Sequence, residues 1–132
     1  MAQDYRHDNA SVTLINYHFV WIVRRRRKLL EGPLDVLLKE LIHQAVKELD
    51  CHVIALETHY DHVHLFVNAH PRIAPYQIMH KVKGFTSHRL RQEFPELKHR
   101  LPSLWTRSYF CSTAGNVSSD TVKRYVEEQK SK

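Results

Sequence analysis

Acidic residues are in short supply in this chain, and cysteines are few. The two cysteines, Cys51 and Cys111, are isolated and form no Cys-x-x-Cys pair. Each falls at an apparent strand, where a buried free thiol with no assigned function is expected. No apolar run is long enough to span a bilayer, and the segment Met1 to His7 lacks the basic and apolar regions of a signal peptide, so a cytoplasmic protein with no membrane partner is expected. Internal repeats and low-complexity segments are absent. With 132 residues the chain is expected to form a single domain over 1–132, large enough for a core but without room for a second module. The acidic deficit, 14 Asp and Glu against 20 Lys and Arg, leaves a formal charge of +6. That balance favours a polyanionic partner, nucleic acid ahead of membrane.

What is present reads as alternating strands and helices. Val12 to Val23 is rich in β-branched and aromatic residues and predicts a first strand. After Gly32-Pro33, the apolar residues Leu34, Leu37, Leu38, Leu41, Ile42, Ala45, Val46 and Leu49 recur at the helical period, predicting a helix that ends near Asp50. Cys51 to Thr58 and His62 to Ala69 predict a hairpin turning near Tyr60-Asp61. Tyr76 to Phe94 predicts a second helix interrupted around Gly84, and Pro95 and Pro102 bracket a basic, loop-like stretch. Trp105 to Thr113 reads as a fourth strand, followed by a last helix capped by Ser118 or Ser119 and running to about Gln129. The order β-α-β-β-α-β is that of a split βαβ, so the fold class is α+β. We expect a ferredoxin-like (RRM-like) antiparallel sheet with helices on one face, plus a C-terminal helix.

The chemistry concentrates on two short segments. Strand side chains alternate faces, so His62 and His64 point the same way while Val63, Leu65 and Val67 face the helices. Two imidazoles on one open face can hold one metal ion; a merely solvated sheet face is the ordinary alternative. On the last helix, Tyr125 and Gln129 are four residues apart and share a face, which would bring an amide oxygen as third ligand and a phenol beside the metal. A phenol titrating near pH 10 is a poor nucleophile unless cationic charge or a base favours its anion. Imidazole ligands suit zinc and other transition metals as well as manganese. Asp61 is placed either to orient an imidazole or simply to serve the turn.

Two basic sets suggest phosphate contacts. One is Arg24, Arg25, Arg26, Arg27 and Lys28, directly after the first strand; the other, around the second helix, is Lys81, Lys83, His88, Arg89 and Arg91. Trp105, Tyr109 and Phe110 are either base-stacking platforms or core residues, the core being the commoner role for strand aromatics.

Taken in order, Asn16-Tyr17-His18-Phe19-Val20-Trp21, Tyr60-Asp61-His62-Val63-His64-Leu65-Phe66, Leu104-Trp105-Thr106-Arg107-Ser108-Tyr109 and Lys123-Arg124-Tyr125-Val126-Glu127-Glu128-Gln129 resemble the IS200/IS605 family of single-tyrosine HUH transposases. The resemblance covers nearly the whole chain. It implies a dimeric endonuclease and strand transferase that cuts single-stranded DNA at insertion-sequence ends folded into hairpins. It assigns His62 and His64 as metal ligands, Gln129 as the third, and Tyr125 as the nucleophile of a 5'-phosphotyrosine link, with magnesium or manganese as the ion. It further implies active sites shared between the subunits of a homodimer. One departure is Thr58-His59-Tyr60, where many relatives have Val-Met-Pro; His59 there becomes a competitor for metal or a DNA contact. Three other functions fit the same residues: a repeat-processing nuclease or replication initiator of the superfamily, a ferredoxin-like single-strand binding module that does not cleave, and a structural metal-binding dimer.

Overall fold

The computed structural model describes residues 5–113 and 119–128, the side chains of 119–123 excepted. The elements are β1 (Arg6–His7), β2 (Val12–Thr13), β3 (Asn16–Ile22), a short 3-10 turn (Arg24–Arg26), α1 (Gly32–Glu48), β4 (His52–His59), β5 (His62–Asn68), α2 (Pro75–Glu93), α3 (Glu96–Arg100), β6 (Phe110–Ser112) and α4 (Ser119–Glu128). Four strands form one sheet in the order β4-β5-β3-β6, every pair antiparallel. This is the ferredoxin-like order expected from the sequence, with the first strand in the middle beside the third. β1 and β2 pair separately.

One face of the sheet is dry. Phe19, Trp21, Val63, Leu65 and Val67 are buried against Leu38, Ile42 and Val46 of α1 and Ile78, Met79, Val82 and Leu90 of α2. Each large apolar side chain so buried contributes about 1.5–3 kcal/mol, which fixes the strand register, since a one-residue slip would turn the whole set outward. The alternation on β5 therefore forces His62, His64 and Phe66 onto the opposite face. Opposite them on β3 stand Ile22, Val20 and His18.

Several expected boundaries shift. The first strand is not continuous from Val12: β2 joins its own hairpin with β1, and the long strand starts only at Asn16. α2 runs unbroken through Gly84, which is exposed, because Val82 and Thr86 on either side are buried and hold the turn. A glycine costs a helix about 1 kcal/mol, less than that packing supplies. The stretch between Pro95 and Pro102 is not a loop; Leu97 is buried and anchors α3. The fourth strand is much shorter than Trp105 to Thr113. Trp105 makes only an isolated bridge to Val23, and its ring turns inward against Trp21, with its Nε1–H donating to Thr86 Oγ1. Tyr109 packs on Phe19, so both aromatics serve the core. Cys51 is buried as expected, whereas Cys111, on the edge strand β6, is exposed.

Candidate active site

β5 presents His62 and His64, and each has its Nδ1 engaged. His62 Nδ1 lies 2.7 Å from Asp61 Oδ1, and the other Asp61 oxygen accepts from Arg26 Nε at 3.0 Å. Burial pushes the Asp61 carboxyl up, but the bonds to His62 and Arg26 outweigh it and hold it below the usual carboxylate range. Burial lowers His62 below the usual imidazole range despite that carboxylate. A neutral His62 must then donate from Nδ1, which leaves the Nε2 lone pair available to a ligand. Arg26 reaches Asp61 from a turn in which Arg25 and Arg26 have φ of 57° and 51°. Left-handed backbone costs a non-glycine residue roughly 1–2 kcal/mol, so the turn stores strain where it supports the aspartate. The structure thus gives Asp61 the orienting role.

His18, on the neighbouring strand β3, joins the site in the folded chain. Its Nε2 lies 3.1 Å from His64 Nδ1, and its ring stacks on Phe66 at 4.1 Å. Only one tautomer leaves His64 Nε2 with a free lone pair: Nδ1–H donates to His18 Nε2, and His18 carries its own proton on Nδ1. That Nδ1 is buried without a hydrogen-bond partner among the described residues. The sequence signal was present, since His18 is a polar residue inside an apolar strand and alternates onto the histidine face.

Burial, with His62, His18 and His59 nearby, lowers His64 to about 4. Between that value and the ordinary imidazole value near 6.5 the unfolded chain binds more protons than the folded one. The metal-free protein is therefore expected to lose stability as pH falls through that window and to regain it above. An NMR titration should place the His64 midpoint well below that of exposed histidines; a midpoint near 6.5 would contradict the burial argument.

α4 lies over this same face within one chain. Val126 is buried against Val20 and Ile22, with Tyr125 and Phe110 packed beside them. The Tyr125 hydroxyl is 2.9 Å from Ser108 Oγ, and burial raises its titration above the ordinary phenol value while that bond opposes the rise. Lys83 closes the arrangement from below: its Nζ donates to the carbonyls of Thr106 at 2.7 Å and Ser108 at 3.0 Å. Burial lowers its ammonium to about 8.

The basic residues therefore divide. Arg26 serves Asp61, Arg24 donates to Ser103 Oγ, Lys81 pairs with Glu48 at 2.6 Å, and Lys83 is tied to backbone. Arg89 lies over the Phe85 ring. Arg25, Arg27 and Lys28 are exposed. Gln129 lies outside the described residues. If Lys83 is structural, Lys83→Ala should lower the unfolding free energy by about 1–3 kcal/mol, the range for losing a charged donor to buried acceptors. Denaturant unfolding checks this. A lysine that only touched DNA would leave stability unchanged and reduce the salt dependence of binding instead.

Comparison with known proteins places this arrangement. Residues 11–129 match the sequence model of the family described as "Transposase IS200 like". The chain is 30% identical over 120 residues to the ISDra2 transposase TnpA of Deinococcus radiodurans, covering 89% of this chain and 86% of that protein. It is 25% identical over 119 residues to the transposase for insertion sequence element IS200 of Salmonella typhimurium, covering 86% and 78%. A 1.90 Å crystal structure of a Deinococcus radiodurans R1 protein superposes with a TM-score of 0.89 at 26% identity, over 96% of this chain and 99% of that one. A REP-associated tyrosine transposase bound to a REP hairpin shares the fold, with a TM-score of 0.59 at 14% identity over 96% and 69%. With residues 11–129 matched by the family model and a 30% identical relative aligned over 89% of its length, the chain belongs to the IS200-like transposases.

Proposed function

We propose that the protein cleaves single-stranded DNA at hairpin-flanked ends of an insertion sequence and rejoins it through a 5'-phosphotyrosine link on Tyr125. The observation that carries this is the shared face: two imidazoles with both Nδ1 atoms engaged, on the sheet face where the tyrosine-bearing helix packs against Val20 and Ile22, their cross-strand partners. The donor set fits a divalent metal, because His62 and His64 offer ring nitrogens within 4.8 Å of each other while their Nδ1 atoms are engaged, and Gln129 would supply an amide oxygen. Magnesium or manganese is the proposed ion; when bound, it polarises a phosphate oxygen and offsets the charge that develops there.

The chain's own residues do the rest. Asp61 and His18 fix the two imidazoles, and Arg26 fixes Asp61. Tyr125 rests as a protonated phenol against Ser108, so its proton must leave and the Ser108 contact must yield before its oxygen attacks phosphorus. That attack forms the Tyr–O–P bond and breaks the P–O3' bond, and the departing O3' takes up a proton equivalent to the one the phenol gave up, freeing a 3'-hydroxyl that can later reverse the step on another strand. Arg25, Arg27 and Lys28 face solvent and are the proposed phosphate contacts of the first basic run. The proposed assembly is a homodimer in which α4 can serve the sheet of either subunit. The described contacts of Val126 with Val20 and Ile22 represent the arrangement within one chain.

The reading is tested with a labelled library of single-stranded DNA hairpins incubated with manganese or magnesium. Metal-dependent cleavage with a protein-linked band on a denaturing gel is expected. Tight binding of a hairpin with no cleavage under either metal would favour the single-strand binding module instead.

A further inference from the structure

We propose that the β4–β5 hairpin alone carries a three-imidazole metal site, His59, His62 and His64, that takes a transition ion such as zinc or cobalt(II) with no ligand from α4. Each of the three histidines offers a ring nitrogen, and these atoms all lie within 4.8 Å of one another. The ring centroids are 4.4 Å (His59 to His62), 5.2 Å (His62 to His64) and 5.4 Å (His59 to His64) apart; the His59 and His62 rings are stacked within 9°, so His59 must swing out of that stack for its lone pair to converge with the other two.

The placement follows from strand register. His59 and His62 are direct cross-strand partners at the turn, and His64 lies two residues further along β5 on the same face. Tetrahedral zinc with nitrogens at 2.0–2.1 Å needs its ligand atoms roughly 3.3 Å apart. The remaining closure falls to His59, whose side chain is 45% exposed and can turn, while His62 and His64 are held. Glu57 Oε1 lies 3.0 Å from His59 Nε2 and can accept its proton, which leaves His59 Nδ1 as the donor atom.

Three imidazole nitrogen donors select a different ion from two nitrogens and an amide oxygen. Magnesium seeks oxygen ligands, whereas imidazole suits zinc and its neighbours. The site would also stay loaded when α4 leaves the sheet, so metal occupancy and helix position are uncoupled. The proposal shares His62 and His64 with the transposase reading and rests on it for nothing else.

The test is calorimetric titration of zinc into the metal-stripped full chain, with cobalt(II) absorption as a report of geometry, for wild type, His59→Ala and Gln129→Ala. One zinc per chain is expected, with a tetrahedral cobalt spectrum. His59→Ala should weaken zinc by at least the 10- to 100-fold, roughly, that loss of an outer partner alone costs, and should abolish that spectrum, while Gln129→Ala leaves both unchanged. Circular dichroism of His59→Ala guards against misfolding, which its exposed position makes easy to avoid. Zinc affinity insensitive to His59→Ala, or weakened equally by Gln129→Ala, would overturn the site. So would a wild-type chain that binds no zinc. Because both readings use His62 and His64, manganese-dependent cleavage is measured on the metal-stripped chain without zinc, for wild type and His59→Ala: cleavage kept by His59→Ala while zinc is lost separates the three-imidazole site from the transposase reading.

Discussion

Tyr125→Phe is expected to abolish covalent DNA linkage and to slow cleavage on the order of a thousandfold or more, as losing a nucleophile does elsewhere. Hairpin affinity should be unchanged. The substitution is mild structurally, since the ring keeps its place near Phe110 and only the hydroxyl contact with Ser108 is lost. That contact is worth about 1 kcal/mol, so folding should survive and the rate effect should not be confused with unfolding. Parallel gel-shift and cleavage assays on one labelled hairpin make the comparison. Cleavage by Tyr125→Phe at near wild-type rate would remove the tyrosine from the mechanism.

His64→Ala should have the second largest effect. It deletes one of two imidazoles on the sheet and also strands His18 Nε2, which then has lost its partner in a buried position. Metal-dependent cleavage should fall by more than about 100-fold, the upper end for disturbing even an outer partner of a metal ligand. His18→Leu tests the same chain of contacts one step out: it keeps His64 but leaves its Nδ1 without the His18 acceptor, and about a 10- to 100-fold loss of metal affinity is expected. If His18→Leu binds metal like wild type, the tautomer argument for His64 is wrong. Calorimetry of manganese binding decides both cases.

The histidine face was legible because strand periodicity is simple. Val63, Leu65 and Val67 mark one side, and the alternation leaves His62 and His64 on the other whatever the details of the sheet. The ferredoxin-like order was legible for a similar reason, as apolar runs and their punctuation follow the elements. Local breakers misled where tertiary packing overrode them. Gly84 does not interrupt α2, and the Pro95–Pro102 stretch forms a helix around buried Leu97. Charge was the least legible property. Composition shows a basic chain, but only the fold reveals that Arg26 is committed to Asp61 and Lys83 to two carbonyls. His18 illustrates the same limit, since its role depends on a cross-strand neighbour far away in sequence.

The most direct measurement is to isolate the protein–DNA adduct formed with manganese, digest it, and locate the linkage by mass spectrometry. The expected product is a 5'-phosphorylated nucleotide on Tyr125, with a matching free 3'-hydroxyl on the released strand and no adduct without metal. A linkage on any other residue, or a 3'-phosphotyrosine, would contradict the mechanism set out above.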